Sequence, residues 1–218
     1  MLYIVSTPIG NLGDITFRAL EILKEVDLIA AEDTRRTGIL LKHYEIHKKM
    51  VSYNDHNKDR RAREFIELLK DGKSIALVSD AGTPGISDPG FHIVRECIKE
   101  NLAVAPIPGA SAVLSALTCS GLPTDRFTFY GFLPKKDGQK KKMLNLVKER
   151  KETAVFYESP HRIKKTILLL KETIPEDNVV IARELTKKFE EFIRGTASEV
   201  YEKTKDRELK GEIVLIIK

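Results

Sequence analysis

The chain has 218 residues, 42% of them hydrophobic and 32% charged, with a net charge of +5 and an isoelectric point near 9.0. That is enough apolar material for one large α/β domain or two small ones, and no apolar run approaches the roughly 18 residues that cross a bilayer. Met1–Ser6 lacks the basic region and small-residue cleavage site of a signal peptide, and the two cysteines, Cys97 and Cys119, have no Cys or His at metal-ligand spacing. Both cysteines read as small buried hydrophobes in predicted helices, and the chain as cytoplasmic. The mild basic excess fits a nucleic-acid partner, but equally a heat-adapted surface of ion-pair networks.

Strand-like and helix-like segments alternate along the chain. Leu2–Thr7 reads as a strand, followed by the loop Pro8-Ile9-Gly10-Asn11, with Asp14 expected to cap a helix over Ile15–Glu25. Leu28–Ala31 is a buried strand ending in Glu32-Asp33-Thr34-Arg35-Arg36, and the helix after it reaches about Tyr44. Met50–Tyr53 is a strand and Asp59–Lys70 an amphipathic helix. Ser74–Val78 is a buried strand that runs into Ser79-Asp80-Ala81-Gly82-Thr83-Pro84-Gly85-Ile86-Ser87-Asp88-Pro89-Gly90. Such connections usually run about two to six residues, and ligands of open α/β sheets bind at the carboxyl ends of strands. This long Gly/Pro loop is therefore the leading site candidate. A helix over Phe91–Glu100 and a strand over Ala103–Ile107 lead to Pro108-Gly109-Ala110-Ser111, where the domain boundary is placed: 1–109 and 110–218.

Beyond it the reading is the helix Ala112–Cys119, the aromatic strand Phe127–Leu133, the basic helix Gln139–Arg150 and the strand Thr153–Glu158. Ser159 is then read as the cap, and Pro160 as the first residue, of a helix reaching Glu172. Strands at Val179–Ala182, Glu191–Gly195 and Glu212–Ile217 close the chain, with a helix over Ser198–Lys203. The first half predicts a mostly parallel sheet, and the closer strand spacing of the second a mixed one.

No G-x-G-x-x-G follows the first strand, where Ser6-Thr7-Pro8-Ile9-Gly10-Asn11 stands, and no G-x-x-x-x-G-K-[ST], H-E-x-x-H or carboxylate metal pattern occurs. This argues against dinucleotide enzymes, P-loop ATPases and the common Rossmann-type methyltransferases, and no metal is expected. Three basic clusters remain at strand-to-helix turns: Arg35-Arg36, His161-Arg162, and Arg183 with Lys187-Lys188. In the first two, cations occupy the first helical turn, where the helix dipole opposes them by about 0.3–1 kcal/mol. They point either to a phosphate or to pairing with Glu32, Glu158 and Glu184. Lys135-Lys136 and Lys140-Lys141-Lys142 read first as a solvated loop and helix face.

Taken in order, Ser6–Asp14, Glu32–Arg35, Ser79–Gly90, Pro108–Ser111, Gly131–Pro134, Glu158–Arg162 and Arg183–Lys187 closely resemble the small-subunit ribosomal RNA (cytidine-2′-O)-methyltransferases of the tetrapyrrole-methylase-like superfamily. The resemblance covers essentially the whole chain. It implies two αβα domains, a homodimer, and S-adenosylmethionine bound in the interdomain cleft. The methyl group would go to the ribose 2′-oxygen of a cytidine in the decoding region of 16S rRNA, as naked rRNA or in the small subunit. Relatives often carry a further C-terminal extension. By the same resemblance Asp80, Ala81, Gly82, Ile86, Ser111 and Ala112 line the cofactor, with Phe132 and Tyr157 closing over it. Glu158, Lys187 and Asp80, in that order, are candidates for the base or cation that activates the hydroxyl. Arg35, Arg36, Arg162, Arg183 and Lys187 would hold rRNA phosphates. A same-fold enzyme acting on a tetrapyrrole and a non-catalytic RNA-binding module are the competing readings.

Overall fold

Short apolar runs in the first unit, Met1–Ser111, form strands buried on both faces; the computed structural model describes residues 1–218. β1 (Leu2–Val5), β2 (Leu28–Ala31), β3 (Met50–Ser52), β4 (Ile75–Val78) and β5 (Val104–Ile107) make one parallel sheet in the order β3-β2-β4-β1-β5. Alternation along β2 sends Leu28 and Ala30 to one face and Ile29 and Ala31 to the other. On the second of these faces pack α1 (Phe17–Glu25) and α2 (Thr34–His43), through Ala19, Leu23 and Leu41. On the first pack α3 (Lys58–Lys70) and α4 (Gly90–Lys99), through Phe65, Leu69, Ile93 and Cys97. β4 therefore sends its chain to one face while both its neighbours, β1 and β2, send theirs to the other. That divergence opens a crevice above the carboxyl end of β4.

In the second unit, Ala112–Lys218, β6 (Phe127–Phe132), β7 (Thr153–Glu158), β8 (Asn178–Arg183), β9 (Glu191–Thr196) and β10 (Ile213–Ile217) form a mixed sheet in the order β6-β7-β10-β8-β9. Only β6 and β7 pair in parallel. One face is covered by α6 (Asp137–Arg150), α7 (Ile163–Thr173) and α8 (Ala197–Thr204), through Leu144, Val147, Ile167, Leu170 and Val200. The other meets α5 (Ala112–Thr118). α8 opens on a complete capping box, Thr196 with Glu199. No helix is long and apolar enough to cross a membrane.

The architecture is the α/β one that the alternation predicts, with local corrections. Asp14 lies in a 3₁₀ turn at Leu12–Asp14, and the cap of α1 is Thr16, whose hydroxyl accepts from the Ala19 N–H at 3.1 Å. α7 begins at Ile163: Ser159–Arg162 form a separate turn, its Ser159 carbonyl accepting from both Arg162 and Ile163. Cys97 is buried as expected, and burial pushes its thiol up to about 11; Cys119 is exposed, just past the end of α5. Lys140 is not a solvated residue but is 3% exposed.

Phe156 is fully buried in β7 and stacks on Tyr130, ring centroids 5.1 Å apart. Phe156→Ala should cost about 3–5 kcal/mol, read as a lower urea midpoint with an unchanged slope.

Candidate functional site

The crevice of the first unit is built by backbone pairing beyond the strand ends. Thr7 N–H donates to the Gly82 carbonyl at 2.9 Å, and Gly82 N–H returns the bond to Thr7 at 3.0 Å. Gly82 has φ +80°, the left-handed conformation that favours glycine, while a Cβ there would meet Ile9 Cγ2 at 3.4 Å and the Ala110 carbonyl at 3.7 Å, ordinary contact distances. The Ser6 and Thr83 hydroxyls lie 2.9 Å apart, and Thr83 also donates to the Ala110 carbonyl at 3.3 Å. Farther along, Asp88 folds the loop on itself, accepting from Gly85 N–H at 2.8 Å and Gly90 N–H at 2.7 Å. Ala81 and Ile86 are left exposed on this frame, and Ser111 and Ala112 half-buried.

Carboxylates tie the end of β2 to the end of β4. Asp80 N–H donates to Glu32 Oε2 at 3.2 Å, while Asp33 N–H donates to Asp80 Oδ1 at 3.0 Å. Burial, with the charges of Asp80, Asp88 and Asp55 nearby, raises the Glu32 pKa above its usual value. The loop thus sits in a negative field. Both first-turn arginines of α2 find acids. Arg35 grips Asp33 with two nitrogens, at 3.0 and 2.7 Å, and Arg36 Nε lies 3.5 Å from Asp80 Oδ2. Arg35 remains 89% exposed in its side chain, so its outer face is open to an anion. A pocket of about 130 Å³ lies here, bounded by Thr7, Pro8 and Leu12 after β1, by Arg36, Thr37, Ile39 and Leu40 of α2, and by Ser79 and Asp80 after β4.

In the second unit the remaining predicted residues gather at one end of the mixed sheet, where Ile213 pairs with both Glu158 and Arg183, and Arg183 pairs with Glu191. A register shift between Phe129 and Phe132, with Gly131 at φ +67°, makes a bulge in β6. Plain alternation would put Phe132 on the face opposite Phe129; the extra residue returns it, so both rings meet Tyr157, at 5.5 and 5.0 Å. Phe132 is 59% exposed.

Glu158 needs correction. It follows Tyr157 in β7 and so points to the opposite face, beneath α7. There it is 2% exposed, with Oε1 accepting from Ser159 N–H at 2.7 Å and from Arg162 Nη2 at 2.5 Å, and Oε2 accepting from the Thr166 hydroxyl at 2.7 Å. A carboxylate so enclosed does not reach a substrate hydroxyl. Its role is to hold Arg162, which donates onward to the Leu133 carbonyl at 3.1 Å. The network continues through Thr166 to the buried amine of Lys140 at 3.1 Å, a group that sequence reading assigned to solvent. No sequence signal marks it, because Asp137, three residues earlier and 3.9 Å away, looks like an ordinary helix-surface partner.

Arg183 is likewise committed: its three guanidinium nitrogens donate to the Lys210 and Phe189 carbonyls and to Glu191, at 2.9–3.3 Å. Four of its five N–H donors are thus spent within the second unit, which ties Arg183 to the fold rather than leaving it to RNA as expected. Lys187 bridges Glu184 at 2.8 Å and Glu212 at 3.0 Å. Burial pulls its pKa down, but the two carboxylates outweigh that and leave it raised, so it is a fixed cation rather than a base. Lys135, Lys136, His161 and Lys188 are exposed around the same loops.

Two outcomes follow from this geometry. A Cβ at Gly90 would lie 2.7 Å from Gly85 N and 2.8 Å from Asp88 Oδ1. Gly90→Ala should therefore destabilise by about 1–3 kcal/mol through overpacking, with faster amide exchange at Gly85 than in wild type. Hydrogen bonds from the side chain and backbone of Arg35 hold Asp33 at about 2, below its ordinary 3.8. A depressed carboxylate stabilises the fold above the unfolded value and loses that contribution as pH falls through the folded one. Stability should thus drop between 3.8 and about 2, and Asp33→Asn should flatten that part of a urea-unfolding series against pH. The flattening is partial, because Asp27, held at about 2 by Ser74 and Lys73, titrates in the same window.

A family model described as tetrapyrrole (corrin/porphyrin) methylases matches residues 1–201. Curated relatives named ribosomal RNA small subunit methyltransferase I include one from Halalkalibacterium halodurans, 52% identical over 216 residues, which cover 99% of this chain and 75% of that protein. One from Bacillus subtilis is 51% identical over 217 residues, 100% of this chain and 74% of its own length. Among solved structures, diphthine synthase superposes with a TM-score of 0.75 at 16% identity, covering 99% of this chain and 89% of that one. Uroporphyrin-III C-methyltransferase from Thermus thermophilus, complexed with S-adenosyl homocysteine, gives 0.66 at 17%, covering 99% and 96%. These structural likenesses show a shared fold.

Proposed function

The chain belongs to the tetrapyrrole (corrin/porphyrin) methylase family, and from that premise we propose that it is an rRNA methyltransferase that uses S-adenosylmethionine to methylate the ribose 2′-oxygen of a cytidine in the decoding region of 16S rRNA. The observation that carries the reading is the crevice above β4, where a loop pinned by its own hydrogen bonds lies in a field of carboxylates. The residues there fit the cofactor: Glu32, Asp33, Asp80 and Asp88 favour a cationic ligand, and exposed Ile86 offers an apolar contact. S-adenosylmethionine supplies an electrophilic methyl group on a cationic sulfur. Ala81, Gly82, Ile86 and Ser111 of the first unit would hold it. The protein's remaining work is alignment of the ribose oxygen for an in-line displacement. Phosphates of the RNA would be met by the outer face of Arg35 and by the exposed Lys135, Lys136, His161 and Lys188, each through sequence-independent charge. Lys187, pinned by two carboxylates, supplies a fixed positive charge at its end of the second sheet. Full coverage by relatives at about half identity supports rRNA over a tetrapyrrole as the acceptor.

The test is methyl transfer from labelled S-adenosylmethionine to small subunits from a strain lacking this protein, with ribose-methylation mapping of the 16S rRNA. One new 2′-O-methylcytidine in the decoding region is expected; transfer to a tetrapyrrole alone, or no cofactor binding by calorimetry, would overturn the reading. Gly82→Val adds a branched side chain where φ is +80° and the Ala110 carbonyl is close. It should weaken cofactor binding by about tenfold or more, a loss of about 1.4 kcal/mol.

A further inference from the structure

The pocket beside the Arg36–Asp80 pair has no assigned occupant, and its contents are specific. Its volume of about 130 Å³ is well below the roughly 300 Å³ at which drug-sized ligands begin to fit. A whole cofactor or a tetrapyrrole is too large for it; a single six-membered heterocycle is not. Pro8, Leu12 and Leu40 give apolar walls, and Ile39, 66% exposed, stands at the rim. Beside Thr7 and Ser79, three polar residues complete the lining: Arg36, Thr37 and Asp80. Thr37 is 5% exposed and lines the pocket from α2. Asp80 commits Oδ1 to the Asp33 N–H, while its Oδ2 is met only by Arg36 at 3.5 Å. That separation is loose beside the about 2.7–2.9 Å of a closed charge-assisted bond, such as Arg35 makes with Asp33.

We propose that this pocket receives the base of the target nucleotide, turned out of its stack, and that Asp80, Arg36 and Thr37 select cytosine over uracil. The inference rests on the rRNA methyltransferase reading above and names how that site would recognise its substrate. Cytosine presents an exocyclic amine donor beside two acceptors. A carboxylate accepts from that amine, and a guanidinium and a hydroxyl supply donors to the ring nitrogen and the carbonyl. Uracil places a carbonyl where cytosine has the amine, setting oxygen against the Asp80 carboxylate. Enzymes that act on single nucleotides take the base out of the helix and read its pairing edge in such a pocket.

The test compares reconstituted small subunits carrying cytidine or uridine at the mapped position, under single-turnover conditions. Wild type should prefer cytidine by about ten- to hundredfold, the range of one good polar readout. Asp80→Asn keeps an oxygen for the Asp33 N–H but adds a donor, so at saturating S-adenosylmethionine the preference should collapse toward one while the thermal midpoint holds. Thr37→Val should slow transfer to cytidine severalfold, and Thr37→Ser should restore it. An unchanged cytidine preference in Asp80→Asn overturns the proposal, as does equal slowing on both substrates with weakened cofactor binding, which would give Asp80 to the cofactor. If wild type methylates neither substrate, the functional reading fails. The pocket is then judged by NMR: cytidine 5′-monophosphate, but not uridine 5′-monophosphate, should shift the methyl resonances of Thr37, Ile39 and Leu40. Unmoved or equally moved resonances overturn it.

Discussion

Two backbone hydrogen bonds between Thr7 and Gly82 organise the first unit's functional end. β1 and β4 are parallel neighbours, yet their continuations meet as a single antiparallel bridge. That meeting forces the chain after β4 to turn back over β1 before it can start α4, and it is why the connection is long. Every further contact of the loop is built on this bridge. The Ser6–Thr83 hydroxyl pair, the Thr83 bond to Ala110 and the Asp88 clasp on Gly85 and Gly90 each fix another part of the path. The positive φ of Gly82 and Gly85 lets the backbone follow it without side-chain strain.

Charge in this unit is arranged around that loop rather than spread evenly over the surface. Glu32, Asp33, Asp80 and Asp88 face a small volume, and their mutual repulsion is relieved mainly by backbone N–H groups and by Arg35 and Arg36. Cations in the first turn of α2 run against the helix dipole, but each has an acid within reach, so the local cost is offset. The tight Arg35–Asp33 contact fixes the start of the helix; the looser Arg36–Asp80 contact leaves polar atoms available.

The second unit solves a different problem, that of placing aromatic rings and cations at one end of a mixed sheet. The bulge at Gly131 turns Phe132 to the Tyr157 face, and α7 covers the opposite face, where Glu158, Thr166, Lys140 and Arg162 form a closed network. Buried ion pairs of this kind add little net stability but are costly to break in half. This one spans β7, α6, α7 and the segment after β6, so it fixes the Ser159–Arg162 turn and the Leu133 carbonyl relative to each other.

Local pattern alone determined a great deal here. Runs bounded by turn residues located all ten strands, most plainly β2, β4 and β10, where burial on both faces leaves a continuous hydrophobic signature. The Ser79–Gly90 loop stood out by its length and its Gly/Pro content. Direction and pairing of side chains were decided only in three dimensions. Tyr157 and Glu158 are adjacent in the chain, but strand alternation separates them, and only the packing of α7 makes one face sealed and the other partly open. Lys140 looks like part of a solvated run because its hydrogen-bond partner Thr166, unlike its neighbour Asp137, lies on another helix. Arg183 looks free because most of its partners are backbone carbonyls, which carry no sequence signature. The Thr37 pocket likewise exists only because β1, β4 and α2 converge, a convergence set by strand order, which one-dimensional periodicity does not encode.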